Sequence, residues 1–139
     1  MQFKQLAMAA AVAATAFSAQ AATEIQWWHS MTAVNNEWVN DLAKQFNESQ
    51  KDFKVVPTFK GVYDESMTAA IAAFRSGNAP DILQVFEVGT ATMMASKGAT
   101  VPVAKVMADA GVAFDPKGYI PAVAGYYTAP NGQMLSFPF

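Results

Sequence analysis

Three short apolar runs, separated by two segments of helical period, constrain this chain more than any other feature of its sequence. The runs are Ile25-Gln26-Trp27-Trp28, residues 53–59 and residues 81–86, and their β-branched and aromatic content reads as strand. Between the first two, Val34, Trp38, Val39, Leu42 and Phe46 recur three or four apart, with Asn35, Glu37, Asp41, Lys44 and Glu48 on the wet side. Between the last two, Met67, Ala70, Ile71 and Phe74 form a second stripe. Strands that alternate with helices are joined by right-handed crossovers, so the expected fold class is α/β with a largely parallel sheet flanked by helices. The third run is almost continuously apolar, as a strand covered on both faces should be. Pro57 has no N–H to donate, which places part of the second strand at an edge or a bulge.

Punctuation supports this order. Asn47-Glu48-Ser49-Gln50 closes the first helix, Asp64-Glu65 sits in the first turn of the second, and Gly77-Asn78-Ala79-Pro80 ends it. Thr90 is expected to cap a short helix holding Met93, Met94 and Ala95, and another helix is expected over residues 103–110. Asp115-Pro116 reads as the cap and first position of a helix ending before Gly125. Pro130-Asn131-Gly132, between Tyr126-Tyr127-Thr128 and Met134-Leu135-Ser136-Phe137, signals a hairpin. The sequence then stops at Phe139 within an apolar run, so residues 22–139 are expected to be an incomplete N-terminal lobe.

Residues 1–21 have the form of a secretory signal. Lys4 precedes an alanine-rich apolar run, and Ala19 and Ala21 are small residues placed for cleavage after Ala21. The run is shorter than a spanning helix needs, and no later segment is long and apolar enough to cross a bilayer. Removing it takes away one lysine and no acid, so the mature chain is slightly more acidic than the net −2 of the whole. The nine Lys and Arg are scattered, which argues against a nucleic-acid surface or a polybasic membrane patch. Without cysteine there is neither a disulfide nor a thiolate ligand, and a single histidine leaves no second imidazole to share a metal. No metal or cofactor is therefore expected.

In open parallel sheets ligands bind beyond the carboxyl ends of the strands. That rule selects Trp28, His29 and Ser30 after the first strand, Lys60, Gly61 and Tyr63 after the second, and Glu87, Gly89 and Thr90 after the third. Tyr63 offers a phenol that donates and accepts, although a half-exposed packing role fits it equally. The Glu87 carboxylate can accept from two vicinal hydroxyls, or can simply complement a helix dipole. Trp27 and Trp28, adjacent on a strand, face opposite sides, so at most one lines a cleft. Arg75 sits where a cation suits a helix end, and no Gly-rich phosphate loop occurs. A hydrolase would need a paired acid and base or an activated nucleophile. Asp64 and Glu65 diverge on a helix, and His29 and Ser30 point apart in an extended chain.

The run from Ala72 to Lys97, Ala-Ala-Phe-Arg-Ser-Gly-Asn-Ala-Pro-Asp-Ile-Leu-Gln-Val-Phe-Glu-Val-Gly-Thr-Ala-Thr-Met-Met-Ala-Ser-Lys, resembles the family-1 extracellular solute-binding proteins, in particular their glycerol-3-phosphate-binding branch. Trp28-His29-Ser30-Met31, Pro57-Thr58-Phe59-Lys60-Gly61, Tyr63 and Ser136-Phe137-Pro138-Phe139 carry the same resemblance. It implies a two-lobed periplasmic receptor of the type II binding-protein fold that closes over its ligand and delivers it to an inner-membrane ABC permease. The implied ligands are glycerol-3-phosphate and glycerophosphodiesters, with Tyr63 and Glu87 as contacts and most phosphate contacts beyond Phe139. The same lobe could serve a receptor for a neutral sugar or oligosaccharide. The resemblance implies no chemical step.

Overall fold

The computed structural model describes residues 21–96 and 98–139. The expected leader therefore lies outside the described residues, apart from Ala21. Strands β1 (Thr23–His29), β2 (Phe53–Phe59) and β3 (Ile82–Leu83) form one sheet in the order β2-β1-β3. Both pairings are parallel, with Thr23 opposite Phe53 through to His29 opposite Phe59, and with Trp27 and Trp28 opposite Ile82 and Leu83. Helices α1 (Ala33–Ser49) and α2 (Tyr63–Arg75) make the crossovers. The first moves outward from β1 and the second returns past it, so right-handed connections put α1 and α2 on opposite faces. The expected α/β architecture with a parallel sheet flanked by helices is the one observed.

β2 is an edge strand, one of the two placements that Pro57 allows. Its outward backbone is not left bare. Asn47, near the end of α1, accepts from the Val55 N–H at 2.7 Å and donates to the Val55 carbonyl at 2.9 Å. Gln50 then accepts from the Asp52 and Phe53 N–H groups and donates to the Phe53 carbonyl, which sets the turn into β2.

Several elements depart from the sequence expectation. β3 is two residues long rather than six, because β1 ends at His29 and leaves Val85 and Phe86 without a partner strand. The Gln84 N–H still donates to the Trp28 carbonyl at 2.9 Å before the chain turns into α3 (Glu87–Ala95). Thr90 lies inside α3 instead of capping it, and its hydroxyl donates to the Phe86 carbonyl one turn back. Helix α4 (Val103–Asp109) forms where expected. The single helix expected after Asp115 is instead a 3-10 turn (Pro116–Gly118), capped by the Asp115 carboxylate, followed by α5 (Pro121–Tyr126). Pro121 explains the split: it has no N–H to continue a helix and is suited to start one. The hairpin reduces to one antiparallel bridge, Thr128 to Met134, because α5 takes Tyr126 and the Met134 and Leu135 carbonyls accept from the first N–H groups of α4.

Among the described residues the buried apolar side chains are Val39, Ala43, Ala70 and Met134. The α1 stripe is only partly covered: Val39 faces the sheet, while Val34, Trp38, Leu42 and Phe46 are exposed. Those four share a ridge of i+4 spacing that runs beside the line of contact with β2. The same holds on α2, where Ala70 is buried and Phe74 is not.

Candidate ligand-binding site

All three strands end on the same side of the sheet, and chain direction across it reverses at β1, which creates a switch point between β1 and β3. Gly61, with φ 84°, lets the chain leave β2 and enter α2; a β-carbon there would collide with the Glu65 carboxylate. That carboxylate accepts from the Val62 N–H at 3.1 Å and so satisfies one of the free donors at the start of α2. Val62 has no polar side chain to return the bond. Glu65 is thus engaged in the helix start, which leaves no converging acid pair with Asp64.

Tyr63 is the first residue of α2 and is 39% exposed. Its ring stacks on Phe86 with centroids 5.3 Å apart and planes at 22°. Phe86 immediately precedes Glu87, the exposed first residue of α3, whose carbonyl accepts from the Tyr126 hydroxyl. Gly89 makes this packing feasible, since a β-carbon there would lie 2.7 Å from the Phe86 ring and 3.0 Å from the Met67 sulfur. Tyr63 and Glu87 therefore start two helices that share the Phe86 ring. They do not come from adjacent strands: β1 lies between β2 and β3. Neither Phe86 nor Tyr126 stands out in the sequence as a site residue. Phe86 was legible as an aromatic at a strand end, whereas Tyr126 gave no signal apart from strand propensity.

His29, expected just after the first strand, is instead the last residue of β1, 1% exposed, with the Trp27 and Phe59 rings each 6.1 Å away. Its Nδ1 accepts from the Met31 N–H at 3.3 Å, which puts the proton of the neutral ring on Nε2. Burial holds its pKa below the ordinary 6.5, so the ring is neutral at pH 7. Trp27 packs edge-on against Phe139, which also lies against Trp38 of α1, while on the opposite face the Lys60 ammonium sits 3.9 Å above the Trp28 ring. Trp28, beside Lys60 at the strand ends, is thus the better placed of the two to border a ligand.

At the switch point the Ser30 N–H donates to the Gln84 side-chain oxygen at 2.9 Å. The Ser30 hydroxyl is buried without a hydrogen-bond partner, and so is that of Ser66 on α2. Arg75 occupies the last turn of α2, as a cation at a helix end should. One concavity of about 490 Å³ runs along α2 beside Asp64, Thr68 and Ala72, and one of about 360 Å³ lies at the amino ends of β1 and β2 beside Thr23, Lys51 and Phe53; neither is lined by Tyr63 or Glu87. Among the described residues no three His, Cys, Asp or Glu side chains converge as a metal site would require, and no helix is long and apolar enough to cross a membrane.

Among the described residues, an aromatic ring and a carboxylate thus stand at the starts of two helices beyond the strand ends of the parallel sheet. The sequence profile of the bacterial extracellular solute-binding proteins matches residues 30–139, and the chain belongs to that family. It is 56% identical over 124 residues to the sn-glycerol-3-phosphate-binding periplasmic protein UgpB of Rhizobium meliloti, covering 89% of this chain and 29% of that protein. The UgpB proteins of Brucella suis biovar 1 and Yersinia enterocolitica are 52% and 57% identical over 96% and 88% of this chain, and 31% and 28% of their own lengths. The chain thus spans less than a third of the length of these relatives.

Proposed function

We propose that this chain supplies part of the first lobe of a solute receptor that captures glycerol-3-phosphate in the periplasm and hands it to an ABC permease of the inner membrane. Residues 22–139 are an incomplete N-terminal lobe and residues 1–21 the export signal, removed after Ala21. Glycerophosphodiesters are further ligands, and the receptor carries out no chemical step. Tyr63 and Glu87 are the ligand contacts on this lobe: the phenol covers and hydrogen-bonds the solute, and the carboxylate accepts from its vicinal hydroxyls. The observation that carries this reading is the stacking of Tyr63 on Phe86, one residue before Glu87. It supports a shared position for the two side chains at the strand ends of a chain more than half identical to glycerol-3-phosphate-binding proteins.

The test is a titration with glycerol-3-phosphate, followed by tryptophan fluorescence, of a protein of the relatives' length whose first part is this chain. Saturable binding is expected, with Tyr63→Phe and Glu87→Gln each weakening it by roughly 10-fold or more, the usual cost of removing a buried hydrogen-bonding group from a polar ligand. Thermal protection by maltose but not by glycerol-3-phosphate would overturn the ligand, since only a bound solute raises the melting temperature.

A further inference from the structure

Ser30 stands one residue beyond β1, at the switch point, and is only 8% exposed. Its hydroxyl has no hydrogen-bond partner, although a buried hydroxyl left unpaired loses its hydration without compensation. Its main chain is nevertheless fixed: the N–H donates to the Gln84 side chain across the gap between β1 and β3. Within β1 the pleat sends Trp27 and His29 to one face and Trp28, under the Lys60 ammonium, to the other, and Ser30 follows directly at the strand's carboxyl end. Ser66 is equally unpaired, but it sits inside α2 at 1% exposure rather than at the point where the strand order reverses.

We propose that Ser30 is a third solute contact on this lobe, its hydroxyl pairing with a glyceryl hydroxyl of the ligand at the carboxyl end of β1, where the strand order reverses, while Gln84 holds it in place. The inference rests on the polyol phosphate reading above. It explains why a small hydroxyl is kept buried and unpaired where the strand order reverses: the solute completes its hydrogen bonding.

The test compares Ser30→Ala with the parent in a protein of the relatives' length, using glycerol-3-phosphate and n-propyl phosphate, which lacks the hydroxyls. Affinity for glycerol-3-phosphate should fall about 3- to 10-fold, the range of one neutral hydrogen bond. Affinity for n-propyl phosphate should not change, and the melting temperature without ligand should hold or rise, because the substitution removes an unpaired polar group. Unchanged affinity for glycerol-3-phosphate, an equal loss for both phosphates, or a lower unliganded melting temperature with no selective loss would each overturn the assignment. Failure of the parent itself to bind glycerol-3-phosphate would instead remove the polyol phosphate reading, and this inference with it.

Discussion

His29 shows how a single residue changes meaning between sequence and structure. As the only imidazole beyond a strand it invites a catalytic or metal role, yet it is enclosed by Trp27 and Phe59 and accepts from the Met31 N–H. Protonation would place a charge in that enclosure and convert the Nδ1 acceptor into a donor facing another donor. Because burial lowers the folded-state pKa below the ordinary 6.5, the unfolded chain takes up this proton first as pH falls. The contribution of His29 to stability is therefore complete above about pH 6.5 and is lost as pH falls through the lowered folded value. Urea midpoints measured from pH 7.5 to 5 should decline across that window in the parent. His29→Gln should remove the decline, whatever it does to the absolute midpoint.

At the scale of elements, the edge of the sheet depends on a side chain from a neighbouring helix. Asn47 reproduces, with one amide, the two bonds that a further strand would give Val55. Asn47→Ala leaves both backbone groups at a partly buried edge, so a loss of about 1–3 kcal/mol is expected in a denaturant titration. The exposed cross-strand pair Lys54–Glu24 makes a useful contrast at 3.1 Å. Ion pairs in water contribute roughly 0–1 kcal/mol, and its removal should matter less than that of Asn47.

At the scale of the whole molecule, a two-lobed receptor gains the free energy of closure from contacts on both lobes. The proposed contacts Tyr63, Glu87 and Ser30 all lie on one lobe, and none of them lines the two concavities described above. The 139-residue chain alone should therefore show no saturation with glycerol-3-phosphate at concentrations that saturate a protein of the relatives' length. Tryptophan fluorescence follows the comparison, with Trp28, beside Lys60, one of the three indoles of this chain that contribute to it.

The alternation of apolar runs with helical stripes was sufficient to determine the parallel α/β layer, the extent of β2 and the strand-end locations of Tyr63 and Glu87, and Pro57 narrowed β2 to an edge or a bulge. These follow from backbone periodicity and from the one missing N–H of proline, both local properties of the chain. Tertiary structure alone decided that β3 stops after Leu83 and that Thr90 bonds back within α3. It also decided which half of each helix stripe is covered, and that Phe86 and Tyr126 brace the candidate site. Each of these depends on where a partner strand ends or which surface lies opposite, and hydrophobic period carries no record of either.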